Sequence, residues 1–327
     1  MNTRLVLAVA TWLLACESLH ASDVIDRRVA VTFDDLPVAG SVQKSAFARR
    51  NITLTLLQSL AARNIPSIGF VNEGKMYIGD RVDPAQADLL RLWLAAGFDL
   101  GNHGFAHLDL NDTPLSEFEE DVLRGEKVIE QLLAKRQKTP EFFRHPFLHT
   151  GTELEKRAAF ERFLSEHGYK VAPVTIDNSE WIFARAYDLA VQHDNLAQAK
   201  QIGQEYVDYM LQMFSYYEVQ SQHVFERNIN HVLLVHANEL NSAWFGTLAD
   251  RLTNLGYEFI SLQEALLDPA YASADTYIGA GGITWIHRWG KSRGLDSKLF
   301  AGEPQTPPHI LQLTGLREHS YLDDVSE

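Results

Sequence analysis

Short apolar runs alternate with longer stretches of helical spacing along most of the chain. Seven runs carry the β-branched and aromatic residues that strands favour. These runs are residues 29–33, 67–72, 98–101, 141–144, 170–175, 231–236 and 258–261. Between them Leu, Ala and Phe recur at helical spacing, as in residues 41–63, 84–96, 115–136 and 153–167. Strands that alternate with helices indicate a parallel α/β sheet, either closed or doubly wound.

A long segment, residues 182–230, lies between the fifth and sixth predicted strands, where a single crossover helix would suffice. Its run 196–217 has helical spacing, so we expect a helical insertion over one rim of the sheet. The tail, residues 271–327, is irregular and contains Trp285 and Trp289, whose i, i+4 spacing favours packing in a C-terminal helix over stacking on a ligand. The predicted domain therefore spans residues 23–270, and a C-terminal extension follows it.

The first 22 residues predict an export signal. Arg4 precedes the apolar run 5–16, and the small, polar stretch 17–22 follows. The run is too short to span a bilayer. Cys16, the only cysteine, follows Leu-Leu-Ala as in a bacterial lipoprotein box, and cleavage near Ala21 is the alternative. We expect an exported bacterial protein that is periplasmic, secreted or anchored by a lipid on Cys16.

The composition suits a soluble globular protein and limits its partners. The chain has 327 residues, of which 46% are hydrophobic and 22% are charged. Its formal net charge of −14 argues against nucleic acid or an anionic membrane as partner, because their phosphates would repel it. The sequence gives no indication of the oligomeric state.

Polar side chains stand at or just after the ends of five predicted strands. Taken alone, each has an ordinary interpretation as a turn acid, a core or surface histidine, or a structural ion pair. The carboxyl ends of parallel strands meet at one rim, however, and ligands bind there. Five coincident placements therefore predict one site. Its members are Asp34 and Asp35 after the first strand, His103 and His107 after the third, Arg144 at the fourth, Asp177 and Glu180 after the fifth, and His236 at the sixth.

These residue types indicate a metal hydrolase. One carboxylate and two histidines form a three-ligand site with positions open for water and substrate. His103 and His107 have H-x3-H spacing, and one helical turn would bring both onto the same face. A second carboxylate takes the proton of the water, while a histidine opposite protonates the leaving group. A non-haem iron oxygenase is the alternative use of such a triad. The second carboxylate and His236 count against it.

Five motifs in chain order resemble those of the polysaccharide deacetylases, the NodB-homology or carbohydrate esterase family 4 group. The motifs are TFDD at 32–35, HGFAH at 103–107, RHPF at 144–147, DNSEW at 177–181 and LVH at 234–236. The resemblance covers residues 29–265. It implies a deformed (β/α)7-type barrel, here with an inserted helical segment and an irregular C-terminal extension. It also implies metal-dependent removal of acetyl groups from N-acetylated sugars.

The resemblance further implies a role for each site residue. Asp34 resembles the catalytic base, Arg144 the partner of the base, and His236 the catalytic acid. An acid of the fourth motif, Asp177 or Glu180, resembles the group that tunes the acid, and Asp177 is assigned that role. The implied metal ligands are Asp35, His103 and His107, and the implied substrate-binding residues are Pro146, Phe147, Trp181 and Leu234.

Three departures from the family pattern bear on the substrate. Gly104 stands where Ser or Thr is usual, Phe147 replaces Tyr or Trp, and Glu180 replaces Asp. None removes a ligand, a base or an acid. The expected metal is zinc, with cobalt or nickel as alternatives, and the expected partner is an acetylated glycan. Chitin oligomers, peptidoglycan, an exopolysaccharide and O-acetylated xylan all fit, and a carbohydrate-binding protein without turnover is the remaining alternative.

Overall fold

The computed structural model describes residues 26–40, 42 and 44–316. The predicted export signal and Cys16 lie outside these residues, as does the end of the tail, 317–327. Among the described residues, no helix combines the length and the apolar character needed to cross a membrane.

Strands and helices alternate as the sequence pattern predicts. The strands are β1 Arg28–Leu36, β2 Ser67–Val71, β3 Tyr77–Ile78, β4 Arg81–Val82, β5 Asp99–Asn102, β6 Phe142–Phe143, β7 Lys170–Val171, β8 His231–His236 and β9 Glu258–Ile260. The helices are α1 Ala46–Ala62, α2 Pro84–Ala95, α3 Leu115–Arg124, α4 Lys127–Ala134, α5 Leu154–Glu166, α6 Glu180–Gln192, α7 Leu196–Phe225, α8 Glu239–Asn254, α9 Leu262–Ala265, α10 Trp285–Ser292 and α11 Pro308–Thr314.

The main sheet is parallel and curls into a deformed barrel. Its strands lie in the order β7-β6-β5-β2-β1-β8, and β9 pairs with the first residues of β1. The chain that continues β7 reaches Ile176, which forms a parallel bridge with Leu233 of β8. Leu234 N–H donates to the Ile176 carbonyl at 3.1 Å. This bridge joins the two ends of the strand order, so the predicted α/β barrel is confirmed.

The helix predicted over residues 115–136 is wrong as a single element. The structure has two helices there, α3 and α4, and the break falls at Gly125. A Cβ at Gly125 would lie 2.5 Å from the carbonyl carbon of Gly104. The chain therefore approaches the HGFAH loop too closely for any side chain, and this approach interrupts the helix where apolar spacing alone predicts continuity.

The inserted segment is part of the core. It consists of α6 and the long helix α7, which extends beyond the predicted run 196–217 to Phe225. A Cβ at Gly203 of α7 would lie 2.0 Å from the Trp244 ring of α8, so the two helices are in close contact there. In the extension, Trp285 and Trp289 of α10 are buried, in agreement with the predicted packing role.

Candidate active site

Asp34 and Asp35 lie within β1, because the strand continues to Leu36 and does not stop at Phe33 as predicted. The register with β2 shifts between Phe33 and Leu36, and Asp35 has a φ of 67°. Alternation along a regular strand would send the two side chains to opposite faces. The irregularity rotates Asp35 instead, and both carboxylates come within 4 Å of the His103 ring, as the distances below show.

Asp35, His103 and His107 form a compact cluster of potential metal ligands. The Asp35 Oδ1 atom lies 3.9 Å from His103 Nε2 and 3.6 Å from His107 Nε2. One ligand atom from each of the three residues lies within 4.8 Å of the others. His103 and His107 are joined by a loop, not by the helical turn that their spacing suggested. Positive φ values at Gly104 and His107 fold this loop back on itself.

The donor set fits a divalent cation. His103 Nδ1 donates to the main-chain oxygen of Arg144 at 2.7 Å, which leaves the Nε2 lone pair directed at the cluster. The Asp35 Oδ1 atom is buried and has no hydrogen-bond partner among the described residues. Burial lowers the pKa of both His103 and His107, so the imidazoles stay neutral as ligands must be. These three side chains would hold the metal.

Gly104 is required by the geometry of the same loop. Its φ is +75°, and a Cβ there would lie 2.5 Å from Asp121 Oδ2. The Asp121 carboxylate accepts the main-chain N–H groups of Phe105 at 2.8 Å and of Ala106 at 2.9 Å. The departure from the family pattern at Gly104 therefore accompanies a carboxylate that binds the main chain of the loop between His103 and His107.

Asp34 is buried beside the cluster, with its Oδ2 atom 3.8 Å from His103 Nε2. Its Oδ2 atom accepts from Arg144 Nη1 at 3.3 Å, while its Oδ1 atom has no hydrogen-bond partner in the described part of the chain. Arg144 Nη2 donates to Thr32 Oγ1 at 2.9 Å, which fixes the guanidinium. Burial raises the pKa of Asp34 to about 6, and the positive charges of Arg144 and His236 limit the rise.

His236 faces Asp34 across the pairing of β1 with β8. Its Nδ1 donates to Glu180 Oε2 at 2.8 Å. Burial by itself would lower the pKa of His236, but the hydrogen bond and charge of Glu180 raise it to about 9. The hydrogen bond to His236 is therefore made by Glu180 and not by Asp177, and this corrects the expectation that Asp177 is the partner of His236. Asp177 is near enough to influence His236 only through its charge.

Asp177 fails as the partner because it precedes α6, whereas Glu180 occupies the first turn of that helix. From there the longer Glu side chain reaches back to β8. The spacing within DNSEW left the choice between the two acids open, and the three-dimensional position of α6 decides it.

Lys75 is a site residue that the sequence did not single out. Its Nζ lies 3.1 Å from Asp35 Oδ2 and donates to the Asp35 main-chain oxygen at 3.2 Å. Burial would raise the pKa of Asp35, but the charge of Lys75 and of nearby histidines holds it well below its ordinary value. The apolar run before Lys75 gave no signal for this ion pair, because only the packing of the short helical turn after β2 brings the Lys75 ammonium to Asp35 of β1.

The residues implied to bind substrate differ in exposure, and Phe147 is in contact with the cluster. Phe147 is 53% exposed, and its ring centroid lies 4.5 Å from that of His107. Trp181 is 46% exposed in the first turn of α6, directly after Glu180. Pro146 and Leu234 are buried. One exposed aromatic ring, that of Phe147, therefore borders the cluster, and a second, that of Trp181, follows the Glu180 that binds His236.

A cavity of about 610 Å³ lies elsewhere in the barrel. It is lined by residues at the amino ends of strands, including Ser67, Asp99 and Phe142. The titratable cluster lies at the opposite, carboxyl ends, where parallel α/β proteins bind their ligands. The chemistry, and not the size of the cavity, identifies the candidate site.

Residues 21–171 match the family model described as polysaccharide deacetylase. This match spans the TFDD, HGFAH and RHPF motifs, which supply Asp34, the three cluster residues and Arg144. The resemblance to the polysaccharide deacetylases is confirmed. The DNSEW and LVH motifs lie beyond the matched residues, so Glu180 and His236 are supported only by the contacts described above. Among curated proteins, none matches the chain.

Solved structures with similar folds have low sequence identity to the chain. A polysaccharide deacetylase from Bacillus cereus is 20% identical, with a TM-score of 0.48, over 72% of this chain and 91% of that one. A peptidoglycan deacetylase from Bacillus subtilis is 18% identical, with a TM-score of 0.46, over 73% and 91%. A carbohydrate esterase family 4 pseudoenzyme from Bacillus anthracis is 12% identical, with a TM-score of 0.46, over 74% and 66%.

Proposed function

We propose that the protein hydrolyses acetyl groups from N-acetylated amino sugars of a polysaccharide or oligosaccharide, with a divalent metal ion as cofactor. The observation that carries this proposal is the placement of Asp34 and His236 opposite each other on β1 and β8, beside the cluster of Asp35, His103 and His107. The pKa of Asp34 is about 6 and that of His236 is about 9. Between these values Asp34 is ionised and His236 is protonated, so the site holds a base and an acid together.

Each residue then has a definite task. A divalent ion bound at the cluster would polarise the acetyl carbonyl and lower the pKa of the attacking water. Asp34 takes the proton of that water at Oδ1, which has no hydrogen-bond partner among the described residues, while Arg144 keeps the carboxylate ionised and oriented. His236 gives its proton to the sugar nitrogen as the C–N bond breaks. An amine leaves only when it is protonated, so this acid suits an amide substrate.

A carbohydrate substrate is supported by the aromatic side chains at the border of the site. Phe147 and Trp181 are both more than 40% exposed, although large aromatic side chains usually bury most of their surface. Flat, exposed rings beside polar groups provide stacking surfaces for sugar rings. The strong negative charge of the chain also favours a neutral glycan over an anionic one.

The test is acetate release from chitin oligosaccharides and peptidoglycan, measured with zinc, cobalt or nickel and after chelation. We expect release that chelation abolishes and metal restores. Asp35→Asn should lower bound metal at least tenfold and reduce kcat by about 10³-fold, because removal of a charged ligand weakens both binding and polarisation. Asp250→Asn, which alters an exposed ion pair with Arg63 far from the site, is the matched control.

Other outcomes would replace the proposal. Release from O-acetylated xylan alone would make the protein an O-acetyl esterase. Glycan binding with no release from any substrate, unchanged in Asp34→Asn, would make it a carbohydrate-binding protein. Oxygen consumption dependent on iron would indicate an oxygenase.

We also propose that the protein is exported and acts on a cell-envelope or extracellular glycan. Support comes from the charge pattern of residues 1–22 and the lipoprotein-like sequence before Cys16. Mass spectrometry of the mature N-terminus decides between a lipidated Cys16, cleavage near Ala21 and an uncleaved chain, of which the last would contradict export by this signal.

A further inference from the structure

The carboxylate that orients His236 is itself held by two asparagines. Glu180 is fully buried, and its Oε2 accepts from His236 Nδ1. Its Oε1 accepts from Asn238 Nδ2 and, at 2.8 Å, from Asn241 Nδ2. A buried carboxylate is stable only when its oxygens are satisfied in this way. The orientation of both amides therefore decides whether Glu180 can serve His236.

The Asn241 amide has one donor side and one acceptor side, and the acceptor side needs a partner of its own. Its Nδ2 donates to Glu180 and also to the His236 main-chain oxygen at 2.9 Å. Its Oδ1 accepts the Tyr206 hydroxyl at 2.7 Å. A flipped amide would direct Oδ1 at the Glu180 carboxylate and place two acceptors in contact. Because Glu180 only accepts, Asn241 must turn its Nδ2 to Glu180 and its Oδ1 to Tyr206, and the tyrosine must donate. The donor and acceptor roles are therefore fixed in every hydrogen bond from Tyr206 to His236.

Tyr206 belongs to the inserted helix α7, and its side chain is fully buried. Gly203 lies one turn earlier on α7 and permits the close approach to Trp244 of α8. This approach brings the Tyr206 hydroxyl to Asn241 in the first turn of α8. Burial and the charge of Glu180 raise the pKa of Tyr206 well above its usual value, which keeps the hydroxyl a donor.

We infer that the insertion supplies a positioning residue to the active site. Tyr206 orients Asn241, Asn241 orients Glu180, and Glu180 holds the Nδ1–H tautomer of His236. The insertion thus orients the catalytic acid through these hydrogen bonds, in addition to its packing in the core. This inference rests on the proposed role of His236 as the acid. Besides Glu180, the charged or titratable groups that face His236 are Asp34, Asp35, Asp177 and His107.

Tyr206→Phe removes only the hydroxyl and tests the inference. We expect kcat for acetate release to fall about tenfold with KM unchanged, since the acid acts in the chemical step and does not bind substrate. On the metal-free protein, the downfield proton resonance of His236 Nδ1–H should shift or broaden. Asn241→Asp, which places a carboxylate against Glu180, should have a larger effect on both readouts.

Tyr216→Phe is the matched control. Tyr216 lies on the same helix and is buried, but its hydroxyl donates to the Phe300 carbonyl at 2.7 Å, away from His236. This variant should leave kcat and the resonance unchanged. A folded Tyr206→Phe protein with wild-type kcat and a wild-type resonance would overturn the inference. If no variant and no wild type releases acetate, the proposed function fails, and the resonance still decides the positioning role.

Discussion

At the scale of single residues, the site depends on backbone irregularities as much as on side chains. Asp35 and His107 both have positive φ, at 67° and 56°, which costs free energy in residues that carry a Cβ. Both belong to the cluster that would hold the metal. The strain places three ligand atoms within reach of one ion, and this is an arrangement that regular strands and helices would not produce.

Arg144→Met tests the link between the buried guanidinium and Asp34. Removal of the positive charge raises the pKa of Asp34 further, so the ionised fraction falls at any given pH. We expect the acidic limb of kcat/KM to move upward by about 1–3 pH units, as is usual for loss of a close counter-charge. The pH–rate profile measures this shift.

Arg144→Lys is the control for Arg144→Met, because it keeps the charge and loses the fork that also reaches Thr32. The acidic limb of kcat/KM should move less in Arg144→Lys than in Arg144→Met. Circular dichroism establishes that each variant is folded, which matters because breaking a buried pair costs about 3–5 kcal/mol. An unshifted limb in folded Arg144→Met would contradict the role of Arg144.

At the scale of elements, a side chain of one segment accepts hydrogen bonds from the first turn of a helix in another. Glu73 lies in the short helical turn after β2 and is fully buried. Its Oε2 accepts the main-chain N–H groups of Val128 at 2.8 Å and Ile129 at 3.3 Å. These groups lie in the first turn of α4, where N–H donors have no partner within the helix. This contact fixes α4 behind β5 and the HGFAH loop that follows it.

Glu73→Gln tests this contact through its pH dependence. Burial raises the pKa of Glu73 from 4.5 to about 7 in the folded state. Between these values the folded state binds more protons than the unfolded state, so stability falls as pH rises. A glutamine does not titrate and keeps an accepting oxygen.

The free energy of unfolding of Glu73→Gln, relative to wild type, should therefore rise between pH 4 and pH 8 by on the order of 3 kcal/mol. Urea denaturation across this range measures it. Glu130→Gln, at an exposed position on α4, is the control. Parallel curves for Glu73→Gln and wild type would contradict a titrating Glu73.

At the scale of the whole molecule, the C-terminal extension and the barrel share one core. Trp285, Ile286 and Trp289 of α10 are buried. Trp285 N–H donates to the Val174 carbonyl at 2.8 Å, on the segment that closes the barrel. Arg288 is also buried, and its Nε donates to Asp275 Oδ2 at 2.7 Å. The extension is therefore packed against the chain that leads to Glu180.

Deletion of residues 274–327 should abolish cooperative folding. Among the described residues it removes six buried apolar side chains, those of Ile283, Trp285, Ile286, Trp289, Phe300 and Ile310. Burial of each is worth about 1.5–3 kcal/mol, in a protein whose total stability is typically about 5–15 kcal/mol. Soluble yield and thermal unfolding measure the effect. Deletion of residues 317–327 alone separates the effect of the described part of the extension from that of the end of the chain. A soluble 1–273 chain with a wild-type midpoint would show that the extension is separable.

The sequence by itself determined the barrel and most of the candidate site. Periodicity located the strands of the main sheet, since each buries a short apolar run, and strand ends bring polar residues to one rim. Asp34, His103 and Arg144 were predicted from this rule together with their motifs. The sequence also separated the insertion and the extension from the minimal barrel.

Only the tertiary structure decided the contacts made by residues far apart in the chain. Glu180 instead of Asp177, Lys75 beside Asp35, and Tyr206 behind Asn241 all depend on how helices and loops dock on the sheet. The distances between these helices, loops and strands are set by side-chain packing, as at Gly203 and Gly125. The helix or strand propensity of single residues does not determine them. Packing is also the reason why residues 103–107 form a loop, although the H-x3-H spacing suggested a helical turn.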